Sequence, residues 1–244
     1  GTIQPSQGDY FQTIKGGGHG DYKCIVLAPA SAQDMYDFVD LAFELAFKYR
    51  NPAMILGDGV IGQMMEKVEL REPKPRRTEA EIRALCDSWA TIGCEGRHGN
   101  TITSLSLDPV TQENFNIHLQ KKYDTIQENE VRYATYRTED AEHLIVAFGC
   151  MSRIGEAVVD LAREQGIKLG LFRPITLFPF PKKEIDALVP QLKSIISLEL
   201  NAGQMVEDIR LIVNGRIPVN FYGRQGGMIP DPEEILEAFL KTIK

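Results

Sequence analysis

The sequence predicts an α/β protein in which a partial three-layer α/β segment is followed by a complete three-layer α/β domain. Between residues 23 and 56, two short apolar runs flank one amphipathic stretch, which is the pattern of a strand–helix–strand unit with parallel strands. Between residues 143 and 244, four apolar runs alternate with four amphipathic stretches, which is enough for a compact three-layer domain.

The first segment contains two predicted strands, at residues 23–28 and 53–56, after an irregular stretch at residues 1–22. Ser31, with Asp34 three residues later, forms a capping-box pattern that predicts the start of the intervening helix. Two strands and one helix cannot cover both faces of a sheet. We therefore expect further strands from a partner or from chain upstream of this sequence.

The second domain is predicted from alternating strands and helices. The strands are short apolar runs, and they lie at residues 144–148, 168–172, 194–198 and 218–222. The helices have apolar residues at helical spacing, and they lie at residues 152–165, from 181, at 203–214 and from 231. Asp231 followed by Pro232 is typical of a capped helix start.

The stretch between these two segments has a different composition. Residues 72–77 are proline-rich and charged, residues 93–100 are polar and glycine-rich, and residues 111–132 alternate charges with few core positions. This composition predicts a surface linker with some helix. The predicted division of the chain is therefore residues 1–70, a linker at 71–142, and a domain at 143–244.

Composition excludes several classes of protein. The chain of 244 residues is 43% hydrophobic and 25% charged, which is typical of a globular protein. No apolar run is long enough to cross a bilayer, and residues 1–12 lack the features of a secretory signal. The net charge of −7 argues against nucleic-acid binding. We therefore expect a cytoplasmic protein without membrane or nucleic-acid partners.

No spacing in the sequence is typical of a metal site. The cysteines and histidines are Cys24, Cys86, Cys94, Cys150, His19, His98, His118 and His143. The cysteines form no C-x-x-C pair, and thiols in a reducing compartment stay unpaired, although an interaction of Cys86 with Cys94 stays open. No two histidines stand at ligand spacing, so surface or structural roles are expected for them.

Two glycine-rich motifs invite a cofactor interpretation. Residues 57–59 (GDG) have the form of the magnesium–diphosphate motif of thiamine enzymes, but no asparagine follows before Asn100 to complete octahedral ligation. A plain turn at a strand end is therefore favoured. Residues 15–20 (KGGGHG) offer backbone N–H groups for a phosphate, but no helix start follows directly, so a flexible loop is favoured.

Polar residues follow one of the predicted parallel strands. Glu199 and Asn201 lie at the carboxyl end of the strand at 194–198, where open α/β sheets place binding groups. Polar groups at this position have one of three roles: they contact a ligand, they hydrogen-bond the backbone of a loop, or they face a neighbouring subunit. We favour the structural or interface role for both.

Several stretches together resemble a known family. Three stretches resemble the transketolase C-terminal-type domain of 2-oxoacid:ferredoxin oxidoreductases. They are residues 171–181 (LFRPITLFPFP), 198–210 (LELNAGQMVEDIR) and 221–235 (FYGRQGGMIPDPEEI). Three further stretches resemble the second half of the pyrimidine-binding domain in the α-type subunit of these enzymes. They are residues 1–12 (GTIQPSQGDYFQ), 26–59 and 61–64 (IGQM).

The resemblance implies an activity of the EC 1.2.7 class in a multisubunit complex. This activity is oxidative decarboxylation of a 2-oxoacid with coenzyme A and oxidised ferredoxin, which yields an acyl-CoA, carbon dioxide and reduced ferredoxin. Residues 1–12 resemble the branched-chain, or 2-ketoisovalerate, type more closely than the 2-oxoglutarate type. The alternatives are a 2-oxoglutarate- or pyruvate-specific paralogue, or a non-catalytic module that joins subunits.

The resemblance also implies cofactors and partners. Thiamine diphosphate and magnesium are expected in the intact complex, held mainly by upstream chain and by a partner subunit, and iron–sulfur clusters are expected in partner subunits. No cofactor is expected in this chain alone, which should be inactive by itself. The implied partners are a thiamine-binding β-type subunit, γ-type and ferredoxin-like subunits, and ferredoxin.

Three polar residues near the N-terminus are the candidate catalytic site. The glutamate with which this family contacts the aminopyrimidine lies on an early strand, which would precede Gly1. By the resemblance, Gln4, Ser6 and Gln7 are expected to line the cavity next to the cofactor, where a neutral amide or hydroxyl hydrogen-bonds a carboxylate or an oxyanion. The alternative is a purely structural loop.

Overall fold

A computed structural model describes residues 3–73 and 75–243, which form two compact units. The main unit comprises the described residues up to 68 and those from 121 onwards, and the insert comprises residues 69–120. The helices are α1 (Tyr10–Ile14), α2 (Ala32–Tyr49), α3 (Gly59–Gln63), α4 (Glu79–Cys86), α5 (Pro109–Asn129), α6 (Cys150–Glu164), α7 (Lys182–Leu188), α8 (Met205–Val213) and α9 (Pro232–Thr242). The strands are β1 (Ile25–Leu27), β2 (Ala53–Ile55), β3 (Tyr133–Tyr136), β4 (His143–Ala147), β5 (Leu169–Pro174), β6 (Thr176–Phe178), β7 (Ser194–Glu199) and β8 (Val219–Gly223).

A five-stranded sheet forms the centre of the main unit, in the order β3-β5-β4-β7-β8. Strands β5, β4, β7 and β8 are parallel, as predicted, and β3 is antiparallel to β5. On the central strand β4, Ile145 belongs to a core cluster that includes residues of α6 and α9, and Leu144 and Val146, on the other face, are also fully buried. Both faces of the sheet are therefore covered, which confirms the predicted α/β fold class.

A second sheet of three strands has the order β2-β1-β6. The parallel pair β1 and β2 was predicted, with Val26 opposite Met54. Its third strand, β6, was not predicted, and it runs antiparallel to β1 with Val26 opposite Phe178. Since β6 begins two residues after β5 ends, one continuous stretch of chain supplies strands to both sheets.

The local structure of residues 71–142 differs from the prediction of a surface linker. Residues 133–136 form β3, an edge strand of the five-stranded sheet, and the second half of α5 buries Tyr123 and Ile126. The prediction missed β3 because its exposure alternates along the strand and Tyr133, which stacks on Phe172 with ring centroids 5.0 Å apart, stays 46% exposed. The division into domains at 1–70 and 143–244 stays a prediction.

Two of the helices begin at residues that were predicted to cap them. Ser31 begins α2 as predicted, because its Oγ accepts a hydrogen bond from the Asp34 amide at 3.0 Å. The Asp34 carboxylate in turn accepts from the amide of Ala30 at 2.9 Å. Asp231 precedes α9 as predicted, but within the described chain its side chain makes no capping hydrogen bond. None of the helices in the described ranges combines the length and apolar composition that crossing a bilayer requires.

Gly170, on β5, occupies a position without room for a side chain. A Cβ there would lie 2.7 Å from the carbonyl oxygen of Arg137 and 3.0 Å from the Cβ of Ala141. We expect Gly170→Ala to lower the free energy of unfolding by about 1–3 kcal/mol, because backbone must move. Gly62→Ala, whose Cβ would meet nothing within 4 Å, is the matched control and should cost nothing. Urea denaturation of both variants measures this, and equal stabilities would contradict the close approach.

Candidate functional site

The candidate site lies where parallel strands of both sheets end. Asp58 follows β2, Cys150 follows β4, and Glu199 is the last residue of β7. The N-terminal segment (residues 3–15) crosses these strand ends and is hydrogen-bonded to the loop after β7. This is the edge at which open α/β sheets bind ligands, so the segment is placed where a functional role would require it.

Gln7 holds the N-terminal segment to the loop after β7. Its backbone N–H donates to the carbonyl of Leu200 at 3.0 Å, and its side-chain Oε1 accepts from the amide of Leu200 at 3.1 Å. The Nδ2 group of Asn201 donates to the carbonyl of Gln7 at 3.0 Å. Gln7 is only 4% exposed, so its polar groups bond to protein rather than to water.

The side-chain amide of Gln7 also joins the two sheets. Its Nε2 donates to the carbonyl of Phe148, which follows β4, at 2.9 Å, and to Oδ2 of Asp58, which follows β2, at 3.4 Å. A Cβ at Gly149 would lie 2.5 Å from that Oδ2 and 2.8 Å from Nε2, and the φ angle of Gly149 is +59°. Only glycine fits there, because both the space and the backbone conformation exclude a side chain.

Asp58 accepts hydrogen bonds at both of its carboxylate oxygens. Oδ1 accepts from the amides of Val60 and Ile61 at 3.1 Å each, which caps α3, and Oδ2 accepts from the amide of Cys150 at 2.8 Å. Burial and this carboxylate raise the pKa of the Cys150 thiol well above its ordinary value of 9.0. The thiol therefore stays protonated at neutral pH and is a poor nucleophile.

Glu199 organises the loop that Gln7 contacts. It is fully buried, and its Oε2 accepts from the amides of Gln204 and Met205 at 3.0 and 2.8 Å. Its Oε1 accepts from the amide of Val206 at 2.9 Å and from the hydroxyl of Ser197 at 2.9 Å. A carboxylate at the N-terminus of α8 is favoured by the helix dipole, so the charge is compensated in place.

A third buried carboxylate, Asp208 on α8, holds the end of the N-terminal segment. It accepts from the hydroxyl of Tyr10 at 2.8 Å and forms an ion pair with Lys15. Burial, and then the charge of Asp208, raise the pKa of the Tyr10 phenol well above its ordinary value. Gln204 adds two bonds, since its Oε1 accepts from the Phe11 amide at 2.7 Å and its Nε2 donates to the Gly8 carbonyl at 2.8 Å.

The three candidate catalytic residues lie within four positions of the N-terminal segment and have different environments. Gln7 is buried and bonded as described, whereas Gln4 and Ser6 are exposed. The Ser6 hydroxyl accepts from the amide of Gly8 at 3.1 Å, and Gln4 lies against Gly227, where an added Cβ would come within 2.1 Å of the Gln4 Cβ. That these residues line a cofactor-proximal cavity stays a prediction.

The remaining motifs and polar residues bond within the protein, and the choice between a functional and a structural role for each stays a prediction. Residues 57–59 form a strand-end turn and helix cap, and Lys15, first residue of the 15–20 motif, is bonded to Asp208. Asn201 bonds Gln7 and accepts from the amide of Gly203 at 2.8 Å. His143 lies 2.8 Å from the hydroxyl of Ser194, and burial lowers its pKa.

Sequence reasoning missed the roles of Tyr10, Gln204 and Asp208. The sequence did carry a sign of one of them, because Asp208 stands next to Ile209 and three residues after Met205, on the apolar face of α8. A carboxylate at such a position needs a partner, but nothing local identifies that partner as Tyr10. Gln204 and Tyr10 carried no comparable sign.

A metal centre does not form from the described residues. No group of three or more His, Cys, Asp or Glu side chains among residues 3–73 and 75–243 is arranged to hold an ion. Asp58 does not fit as a magnesium ligand either, because both of its oxygens already accept backbone N–H groups. A cavity of about 350 Å³ in the main unit shares Asp208 with the site, and its other lining residues are Lys182, Lys183, Asp186, Leu211 and Ile212.

Two family models together match most of the chain. "Pyruvate flavodoxin/ferredoxin oxidoreductase, thiamine diP-bdg" matches residues 1–139, and "Pyruvate:ferredoxin oxidoreductase core domain II" matches residues 141–235. The chain therefore belongs to the family of 2-oxoacid:ferredoxin oxidoreductase subunits that its sequence resembles.

Individual relatives agree with this family. The ketoisovalerate oxidoreductase subunit VorB of Methanothermobacter marburgensis is 48% identical over 97% of this chain, and the chain spans 65% of that relative's length. The 2-oxoglutarate synthase subunit KorA of Methanocaldococcus jannaschii is 33% identical over 98% of the chain and 70% of the relative. A solved 2-oxoglutarate:ferredoxin oxidoreductase from Magnetococcus marinus shares the fold, with a TM-score of 0.75 at 21% identity over 99% of this chain and 46% of that one.

The buried Tyr10–Asp208 pair predicts an alkaline loss of stability. Unfolded Tyr10 ionises near its ordinary pKa of 10.0, whereas the folded phenol keeps its proton. The contribution of Tyr10 to the free energy of unfolding is therefore complete below pH 10. It is lost at about 1.4 kcal/mol per pH unit as the pH rises through the pKa of the folded phenol. Tyr10→Phe should lower stability by about 1.5–3 kcal/mol at pH 7 and remove this part of the alkaline slope.

Urea denaturation of the wild type and Tyr10→Phe between pH 7 and pH 11 measures the difference. Tyr133→Phe, which removes a hydroxyl from a half-exposed ring and leaves Tyr10 and Asp208 untouched, is the control. A stability difference between wild type and Tyr10→Phe that is the same at pH 8 and pH 11 would refute the assignment.

Proposed function

We propose that this chain is part of the α-type subunit of a thiamine-diphosphate-dependent 2-oxoacid:ferredoxin oxidoreductase that acts on a branched-chain 2-oxoacid. The reaction converts the 2-oxoacid, coenzyme A and oxidised ferredoxin into an acyl-CoA, carbon dioxide and reduced ferredoxin. The observation that carries the substrate class is the identity of 48% to a ketoisovalerate oxidoreductase subunit, against 33% to a 2-oxoglutarate synthase subunit, over almost the whole chain.

In this proposal the cofactors are shared with other polypeptides. Thiamine diphosphate supplies an electron sink for the carbanion that decarboxylation leaves behind. Both carboxylate oxygens of Asp58 already accept backbone N–H groups, which supports assigning magnesium and the diphosphate to a β-type subunit. Iron–sulfur clusters are assigned to γ-type and ferredoxin-like subunits, with ferredoxin as the electron acceptor and the cytoplasm as the location.

The N-terminal segment is the part of the chain that we place next to substrate. The backbone of Gln7 bonds the loop after β7 and its side chain bonds the ends of β4 and β2, so the exposed Gln4 and Ser6 belong to a segment that is held against the strand ends. A side-chain amide and a hydroxyl at fixed positions hydrogen-bond a 2-oxoacid carboxylate with little loss of entropy. Gln7 acts in this proposal as the group that positions them.

A second candidate function is a non-catalytic module that joins subunits. The observation that favours it is the saturation of the buried polar groups Asp58, Glu199 and Asp208, each of which is bonded within the protein. The two candidates differ in what substitution at Gln4 or Ser6 does. Assembly alone depends on neither side chain, whereas catalysis depends on both.

The substrate proposal predicts the order of activities in the reconstituted enzyme. The full-length subunit, combined with its partner subunits, should reduce a viologen dye in the presence of coenzyme A faster with 2-ketoisovalerate than with 2-oxoglutarate or pyruvate, since its identity favours the ketoisovalerate type. The chain alone should give no turnover. A higher kcat/KM with 2-oxoglutarate or pyruvate would assign the other paralogue, and no turnover with any 2-oxoacid would reject the enzyme.

The proposed contact with the substrate carboxylate predicts that catalytic efficiency falls when the side chain of Gln4 or Ser6 is removed. Gln4→Ala and Ser6→Ala should each lower kcat/KM for the 2-oxoacid about 10-fold, which corresponds to one hydrogen bond to a charged group, while the variants stay folded. Gln12→Ala, which removes an exposed glutamine from the same segment, is the control and should keep full activity. Unchanged kinetics in both site variants would favour the module that joins subunits.

A further inference from the structure

The loop that follows β8, residues 224–229, begins at the same edge of the sheet as the candidate site. Strand β8 pairs with β7 as far as Gly223, which lies opposite Glu199. The amide of Arg224 then donates to the carbonyl of Glu199 at 3.2 Å. Because the parallel strands β7 and β8 end together, the loop after β8 starts beside the loop that holds Gln7.

The base of this loop is fixed to the first turn of α9. Arg224 forms an ion pair with Glu234, and the hydroxyl of Tyr222 donates to the same carboxylate at 2.5 Å. The first residue of the loop is therefore held from two sides, by the end of β7 through its backbone and by α9 through its side chain.

Two glycines form the tip of the loop after β8. The amide of Met228 donates to the carbonyl of Gln225 at 3.3 Å, across Gly226 and Gly227, whose φ angles are +65° and +87°. Positive φ angles at both central positions are typical of a type I′ turn. A Cβ added at Gly227 would lie 2.1 Å from the Cβ of Gln4, whereas a Cβ added at Gly226 would meet none of the described atoms within 4 Å.

The contact at Gly227 holds the stem of the Gln4 side chain and leaves its amide available. The Cβ and Cγ of Gln4 are the two atoms nearest to an added Cβ at Gly227. The side-chain amide of Gln4 forms no hydrogen bond with the described residues of the chain. A side chain whose stem is already packed loses less conformational entropy when its amide binds a ligand.

We propose that Gly227 is a positioning residue, which holds the stem of Gln4 so that the amide of Gln4 reaches the carboxylate of the 2-oxoacid. This inference rests on the proposed function. The position of a Cβ is set by the backbone, so Gln4 cannot avoid a side chain at residue 227 by changing its rotamer. The backbone of the N-terminal segment must shift instead, and a shift of about 1 Å is enough to impair a contact with substrate.

Two glycine variants of the full-length subunit, each reconstituted with the partner subunits, test the positioning role. Gly227→Ala should raise KM for the 2-oxoacid about 10-fold in the dye-reduction assay and leave kcat within about two-fold, because a binding contact is lost. Gly226→Ala adds the same methyl group at the neighbouring positive φ angle, and its KM should stay within about two-fold of wild type. A merely structural defect would lower kcat by reducing the amount of active enzyme and leave KM unchanged.

Removal of the Gln4 side chain should abolish the effect of Gly227→Ala. In Gln4→Gly the nearest remaining atom of residue 4 would be its Cα, at 3.4 Å from the added Cβ, which is an ordinary contact distance. Gln4→Gly alone should raise KM about 10-fold, and the double variant Gln4→Gly with Gly227→Ala should change KM by less than about two-fold further. A further 10-fold rise in the double variant would show that Gly227 does not act through Gln4.

Hydrogen exchange measures the contact without reference to activity. The amides of Gln7 and Gly8, which are hydrogen-bonded in the N-terminal segment, should exchange at least about 10-fold faster in Gly227→Ala than in Gly226→Ala. Equal exchange in the two variants would overturn the proposed contact.

The two measurements separate this proposal from the proposed function. Faster exchange in Gly227→Ala, together with no turnover of the wild type on any 2-oxoacid, would reject the function and support the contact between Gly227 and Gln4. A wild type that turns over, with KM raised in Gln4→Gly but not in Gly227→Ala, would overturn the positioning role and support the function. A KM in Gln4→Gly equal to that of wild type would also overturn the positioning role.

Discussion

The fold around the candidate site depends on one buried side-chain amide, that of Gln7. Its Nε2 reaches the ends of β4 and β2, which belong to different sheets, while its Oε1 and backbone bond the loop after β7. A buried amide left without these partners would cost about 1–3 kcal/mol for each unsatisfied group. The ends of the strands and the N-terminal segment are therefore fixed together.

The regular elements were predictable from sequence because their causes are local. The strands and helices after residue 143 follow apolar periodicity, and Ser31 starts α2 through a contact three residues away. Strand β6 was not predictable in this way, since it is three residues long and its partner β1 lies about 150 positions earlier in the chain. The sequence also did not predict strand β3, because an exposed edge strand has little apolar pattern.

The candidate site, like the strands, was predictable only where contacts are local in sequence. The strand-end position of Glu199 was predictable, because parallel strands place polar groups there, and its donors lie between two residues before it and seven residues after it. Gln7 was singled out only through a resemblance, since its partner Leu200 is 193 residues away. Asp208 and Tyr10 were missed because a contact across 198 residues has no local pattern to indicate it.

The passage of one stretch of chain from β5 into β6 has a consequence for how such a protein can be divided. Strand β6 belongs to the sheet built by residues near the N-terminus, although it is encoded between two strands of the other sheet. A gene split between the two sheets would leave the smaller one without its third strand. Evolution or engineering that exchanges either half must therefore exchange this short strand with it, or supply a substitute at the exposed edge of β1.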